Sequence, residues 1–309
     1  MSNTNQIVMS AFKQGLVVPA FNIPYLPMME PVIQAVVDSD AFALIETARL
    51  EWIKFQAGGL EDVIREFERW QHPDYVRLHL DHVPVLDEDN QSVDFIKIIR
   101  ESLDLGYGSV MIDGSRLSLE ENIIATRQVV ELAHRAGVPC EAELGAVLGH
   151  EAGPLPPYEE LFESGRGFTN EKDAALFAKE TGCDWLSVAV GNIHGAISGV
   201  AKEKKKVEAR LNLEHLEKIR KAIDIPLVLH GGSSVSRDHL LRAVKGGIAK
   251  VNIGTEIRQA FESEMNSADG MAAAVKAVYE RTAWLIQDYF DIGGTRSTLF
   301  AGIEEGGAA

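Results

Sequence analysis

The sequence predicts a closed (β/α)8 barrel, and three observations carry that expectation. Short apolar runs rich in β-branched residues alternate with amphipathic stretches, the pattern of strands joined by crossover helices in a parallel sheet. Eight such runs fit into 309 residues, a length suited to one barrel rather than to an open doubly wound sheet. Polar residues able to do chemistry collect at the C-terminal ends of these runs, where barrel enzymes place their sites.

Taken in order, the first strand is Val17–Ile23, followed by a helix over Met28–Ser39. The second is Phe42–Thr47, with a helix over Leu60–Trp70, and the third is Tyr75–His82, with a helix over Ser92–Leu105. Ser109–Asp113 and Leu119–Ala136 make the fourth pair, and Pro139–Gly145 and Glu171–Thr181 the fifth. Trp185–Gly191 with Leu213–Ala222, and Leu227–Gly231 with Arg237–Lys245, are the sixth and seventh; Lys250–Gly254 is the last strand. Gly or a polar cluster lies near most helix ends, as capping requires. Two connections, Ala146–Asn170 and Gly195–Asn212, are longer than a barrel needs. Both follow strands on the catalytic side, and long loops there are usually functional or mobile. The second contains Lys202–Lys206, read as a solvated run or a phosphate-attracting lid. After Gly270 an amphipathic helix is expected over Met271–Phe290, then a Gly-rich end from Gly293 with no assignment. The expected organisation is a single barrel domain over residues 1–309, with a helical extension from about residue 271.

Composition narrows the function. With 30 basic and 46 acidic side chains the net charge is −16, a field that repels nucleic acid and anionic membranes. A small phosphorylated substrate is still admissible, because a metal, backbone N–H groups or a helix N-terminus act locally. Only Cys140 and Cys183 are present, read as buried thiols in a reducing compartment. The first residues, MSNTNQIVMSAFKQG, show no basic region followed by an apolar run, and no uninterrupted apolar run reaches membrane-spanning length; a cytoplasmic location is expected.

The strand ends carry Asn22, Asp81 and His82, Asp113, Glu141 and Glu143, Asn192 and His194, His230, and Asn252 and Thr255. His82, His194 and His230 close strands three, six and seven. Three imidazoles that leave one position open make a catalytic rather than a structural zinc site. His79 lies deeper in its strand and is expected in the core behind the site. His72, His134, His215 and His239 read as surface residues, and His150 is unassigned.

These segments resemble a known family. LHLDH (78–82), SVMIDGS (109–115), EAELG (141–145), VGNIHG (190–195), LVLHGGS (227–233) and VNIGTEIR (251–258) are similar, in order and spacing, to the strand-end motifs of class II fructose-bisphosphate and tagatose-bisphosphate aldolases. The likeness runs from about Val17 to about Phe261. It implies a zinc-dependent aldolase that reversibly cleaves a ketose (bis)phosphate to dihydroxyacetone phosphate and an aldehyde. It implies zinc ligands at His82, His194 and His230, with Glu143 as an alternative ligand, and an acid/base at Asp81. LGHE (148–151) is similar to the family's mobile-loop motif and places a proton-transfer role on Glu151. The donor's phosphate group would rest on Gly195, Gly231, Ser233, Asn252 and Thr255, with Asn22 also at the substrate. A monovalent cation (Na+ or K+) and a homodimer or homotetramer complete what the resemblance implies.

The chemistry agrees with that reading: cleaving a carbon–carbon bond beside a carbonyl needs enolate stabilisation, which a divalent metal supplies as a Lewis acid.

Several positions depart from the family's pattern. Val83 stands where a Gly is usual, Gly254 where Ala or Asp is usual, and Leu148 replaces the first loop Gly. After strand two the family commonly has Gln-x-Ser-x-Gly, whereas this chain has Glu46-Thr47-Ala48-Arg49-Leu50. The family's serine helps hold the far phosphate of a bisphosphate. With Ala48 in its place, Arg49, or a later arginine such as Arg281 or Arg296, is expected to contact a different terminal group, such as a carboxylate, on the aldehyde half. Two other readings are open on sequence alone: a metal-dependent sugar-phosphate epimerase using retro-aldol chemistry, and an inactive paralogue acting as a partner protein.

Overall fold

Strands of an all-parallel barrel are buried on both faces, so alternate residues face the helices and the barrel axis. The computed structural model describes residues 3–145, 158–193 and 209–306. Its strands are β1 (Val18–Asn22), β2 (Ala43–Ala48), β3 (Val76–Pro84), β4 (Ser109–Asp113), β5 (Cys140–Leu144), β6 (Trp185–Val188), β7 (Leu227–Leu229) and β8 (Ile248–Ile253). Each pairs in parallel with the next, and β8 closes on β1 through Val18↔Lys250 and Ala20↔Asn252. The expected closed (β/α)8 barrel is the observed fold.

The helices are α1 (Thr4–Gln14), α2 (Met29–Asp38), α3 (Arg49–Lys54), α4 (Leu60–Trp70), α5 (Phe95–Asp104), α6 (Leu119–Arg135), α7 (Tyr158–Ser164), α8 (Glu171–Thr181), α9 (Leu213–Ala222), α10 (Arg237–Lys245), α11 (Thr255–Met265), α12 (Gly270–Trp284) and α13 (Arg296–Gly306). Outward residues such as Phe21, Ile45, Leu80, Ile112, Leu186 and Val251 pack in the shell beneath the helices. Ile7, Val8 and Ala11 of α1 meet Val18, Ala20, Leu44, Trp185 and Val228 in a second apolar cluster that closes the N-terminal end of the barrel. That plug leaves the C-terminal end as the open mouth.

Differences from the sequence reading have local causes. The helix expected from Ser92 starts at Phe95, because Asp94 caps it by accepting from the Lys97 N–H at 3.1 Å, while Val93 N–H turns back to Val85 O at 3.0 Å. The strand reading ran on to Gly191, but β6 ends at Val188: Val190 N–H is drawn to Asn192 Oδ1, whose amide donates to His230 O. The helix expected over Met271–Phe290 is α-helical only to Trp284 and then makes one π-turn, Leu285–Tyr289. The Gly-rich end is not without structure: it forms α13, with Leu299 in the plug. Helix α1, with its Asn3–Gln6 capping box, the short helices α3 and α7, and α11 directly after β8 have no counterpart in the sequence reading. Residues 146–157 and 194–208 lie outside the described residues, and with them His150 and Lys202–Lys206. Cys140 and Cys183 are free and buried, as expected. Among the described residues no helix is long and apolar enough to cross a membrane.

Candidate metal and acid-base site

Two consecutive residues of a regular strand point to opposite faces, yet Asp81 and His82 both serve the barrel mouth. The pairing of β3 with β4 shows how: Leu80 faces Val110 and Val83 faces Ile112, so β3 carries one extra residue. This is the count of a β-bulge. His82 takes the strain, with φ at 37°, and Val83 returns to the outward shell. The departure from Gly at position 83 thus costs nothing there, because the left-handed conformation falls one residue earlier.

Asp81 is buried and receives two amide donors: Asn22 Nδ2 to Oδ2 and Asn252 Nδ2 to Oδ1, each 3.0 Å. Burial alone would raise its pKa, but the charges of His82, Lys250 and His230 outweigh that and hold it well below the usual carboxylate range. Beside it the His82 and His230 rings lie 4.4 Å apart, edge to face. His230 Nε2 meets Glu141 Oε1 at 2.9 Å, and its Nδ1 lies 3.2 Å from Glu143 Oε2. His82 Nδ1 lies 3.3 Å from Asp113 Oδ2 and 3.8 Å from Glu143 Oε2. Burial works against a charged imidazole, but Asp81 brings His82 up to about 9, and the hydrogen bond to Glu141 with the carboxylate of Glu143 close by brings His230 up to about 10. Burial and the nearby Asp113 push the Glu143 carboxyl up.

These residues suit a divalent cation. Ligand atoms of Asp81, His82 and His230, and of His82, Asp113 and Glu143, lie within 4.8 Å of one another, and Glu143 Oε2 is buried without a hydrogen bond. The surroundings draw positive charge onto the imidazoles, which a metal would supply while displacing protons. With Nε2–H donated to Glu141, His230 presents Nδ1 as the ligand atom; fixing a tautomer in this way is the usual service of a carboxylate behind a metal-binding imidazole. His82, His230 and Glu143 are thus brought together as expected. His194, the third expected ligand, and Glu151 and Gly195 lie outside the described residues.

The mouth encloses a cavity of about 480 Å³ lined by Asn22, Arg49, Asp81, His82, Glu143, His230, Gly231, Ser233, Asn252 and Thr255, among others. Gly231, at φ 70°, turns the chain after β7, and a Cβ on Gly232 would come within 2.4 Å of Val251 Cγ1; only glycine fits there. From the π-turn at the end of α12, the buried Tyr289 hydroxyl lies 3.0 Å from Gly232 O and 2.6 Å from Val235 O, bracing this loop.

Across the cavity, Arg49 lines the wall without a hydrogen bond or ion pair among the described residues, and Arg116 stands nearby with Asn90 at 3.4 Å. Neither later arginine offered as an alternative to Arg49 lines this cavity: Arg281 pairs with Glu256 at 2.6 Å, and Arg296 pairs with Asp40 at 2.8 Å, just before β2 at the closed end.

In the layer below the mouth, sequence reading names Glu141 and His79 but misses the buried charges of Glu46 and Lys250. Glu46, His79, Glu141 and Lys250 are fully buried inside the barrel. His79 Nδ1 meets Ser109 Oγ at 2.8 Å, in the core behind the site as expected, and burial holds it neutral, down at about 3. The available signal was a Lys within the apolar run of β8, since charged residues are almost never fully buried unless paired. His215 is half-buried rather than a surface residue, its Nε2 2.7 Å from Thr169 O.

Comparison with known proteins agrees with this geometry. The chain resembles the YdjI aldolase from Escherichia coli K12 at 27% identity, over 96% of this chain and 99% of that one, with a TM-score of 0.74. Fructose-bisphosphate aldolase (Fba) from Campylobacter jejuni shares the fold at 20% identity, over 94% and 95% of the two chains, with a TM-score of 0.71. The family model for class II fructose-bisphosphate aldolase matches residues 2–294, nearly the whole barrel and its tail, and the chain therefore belongs to that family.

Proposed function

We propose that this aldolase is zinc-dependent and reversibly cleaves a ketose 1-phosphate or bisphosphate to dihydroxyacetone phosphate and an aldehyde. The observation that carries the reading is Asp81, an ionised carboxylate held by two amide donors beside the His82–His230 pair, within one cavity. His82, His194 and His230 would hold the zinc, with Glu143 as an alternative ligand. When bound, the metal supplies Lewis-acid polarisation of the donor carbonyl.

Asp81 takes the proton from the C4 hydroxyl as the C3–C4 bond breaks, and the bonding pair moves into the donor half. In condensation Asp81 returns that proton to the new alkoxide. Glu151 exchanges the proton on the donor's reacting carbon. Gly231, Ser233 and Thr255, with Gly195, cradle the donor phosphate through backbone N–H and hydroxyl groups, and a monovalent cation accompanies it. Asn22 and Asn252 each place one amide N–H on Asp81, and Asn252 turns its second N–H to substrate. Arg49, lining the opposite wall, binds a terminal acidic group on the aldehyde half; an unchanged kcat/KM for Arg49→Ala on the true substrate would remove that role. The enzyme acts in the cytoplasm as a homodimer or homotetramer, a reading supported by the exposed Met271 and Trp284 on α12.

The test is hydrogen–deuterium exchange at the hydroxymethyl carbon of dihydroxyacetone phosphate in D2O, followed by NMR. Exchange that requires zinc and is abolished by a chelator is expected. A folded, zinc-loaded protein that exchanges nothing would refute the choice of donor.

A further inference from the structure

Below Asp81 the barrel contains a lysine that the proposed mechanism does not use. Lys250 is fully buried. Its ammonium contacts Asn252 Oδ1 at 2.6 Å, Glu141 Oε2 at 2.9 Å and Glu46 Oε2 at 3.2 Å. Desolvation opposes a charge there, but Glu141 and Glu46 outweigh it and keep the amine protonated.

We infer that Lys250 is a positioning residue, whose ammonium sets the direction of a hydrogen-bond chain running from Lys250 through Asn252 to the carboxylate of Asp81. The inference rests on the acid/base role proposed for Asp81. An ammonium has three donors and no acceptor. The end of the Asn252 carboxamide that faces it must therefore be the oxygen. The amide NH2 is then turned to Asp81 Oδ1, 3.0 Å away, and can only donate. With Asn22 donating to Oδ2 at 3.0 Å, each carboxylate oxygen receives a donor, which fixes the plane of Asp81 before substrate arrives. Without the lysine the Asn252 amide is free to rotate by half a turn. Its oxygen would then face Asp81 Oδ1 with no proton to share, and the carboxylate would turn from the plane in which it meets the hydroxyl. Glu46 and Glu141 hold the ammonium from below; Glu141 also accepts from His230 Nε2, so one buried layer supports the acid/base and a candidate metal ligand together.

The test compares two reactions of one zinc-saturated enzyme: carbon–carbon cleavage, which needs Asp81, and dihydroxyacetone phosphate exchange in D2O, which does not. Lys250→Met leaves two buried carboxylates facing each other, so Lys250→Met/Glu46→Gln is made beside it as the variant that keeps charge balanced. Cleavage kcat is expected to fall roughly 10- to 100-fold, part of the 10²–10⁴ that a positioned acid/base contributes, with exchange kept within about threefold. In an Asn252→Ala background the same lysine change should cost little further, because residues acting through one chain are not additive. Parallel loss of exchange and cleavage, full cleavage in a folded variant, or multiplicative effects of the Lys250 and Asn252 changes would each overturn the inference. Failure of the unmodified enzyme to exchange would instead strike the functional reading beneath it.

Discussion

Tyr289→Phe isolates what the tail contributes to the loop after β7, the loop we propose cradles the donor phosphate. The change removes one hydroxyl shared between Gly232 O and Val235 O and leaves the ring in place against Phe290 and Trp284. A neutral hydrogen bond contributes about 0.5–1.5 kcal/mol net, and buried acceptors left behind can raise the cost to roughly 2 kcal/mol. Unfolding entropy is about 2.1 cal/mol/K per residue, so a chain of this length has roughly 650 cal/mol/K and each kcal/mol moves Tm by about 1.5 °C. Tm should therefore fall by only about 1–3 °C. The larger signature is kinetic: a loop that has lost 1–2 kcal/mol of bracing should raise KM for dihydroxyacetone phosphate about 5- to 30-fold, with exchange kcat little changed. Thermal unfolding and the concentration dependence of exchange measure both. A lowered Tm with an unchanged KM would show that the π-turn stabilises the fold without shaping the phosphate site.

Two further outcomes follow from the buried acids. Glu141→Gln removes the charged acceptor behind His230, and zinc affinity measured by chelator competition should drop about 10- to 100-fold; unchanged affinity would mean that His230 is oriented by other contacts. Glu51 caps α3 through the Ala48 N–H at 2.8 Å, and burial raises its pKa from 4.5 to about 8. Its folded pKa lies above the unfolded value, so its contribution to stability is fully present below about pH 4.5 and is lost as pH rises through about 8. Glu51→Gln mimics the protonated form. Its urea midpoint should match the parent's at pH 4.5 and exceed it at pH 8.5, and an equal offset at both values would contradict this account.

Much of the fold was legible because the barrel repeats one rule: outward positions are apolar, and the strand ends carry the chemistry. Asp81, His82, Glu143, His230 and Asn252 sit at strand ends and converge on one cavity as their positions in the sequence suggested. What escaped depends on partners distant in the chain. Lys250 and Glu46 are 204 positions apart by their numbers yet 3.2 Å apart in space, and no local pattern links them. Helix α1 escaped because its partner surface, the closed end of the barrel, exists only after folding. The π-turn has the same apolar spacing as an ordinary helix, and what marks it, the Phe290 N–H donating to Leu285 O at 2.8 Å, leaves no trace in the residue pattern. Arg296 reads like any pocket arginine until the fold places Asp40 beside it.

The bulge at the end of β3 changes the parity of the strand. Up to Asp81 the odd-numbered residues face the axis and the even ones face the helices; His82 breaks the count by joining Asp81 on the axis side, and Val83 resumes outside. The proposed proton acceptor and a candidate metal ligand thus become neighbours on one face through a single inserted residue. They are mechanically inseparable: anything that irons the bulge flat, such as a β-branched residue at 82 that resists positive φ, would swing the side chain at that position toward the helices. Loss of the bulge would then show as two deficits at once, in metal retention and in acid/base chemistry, from one substitution in the backbone's least relaxed position.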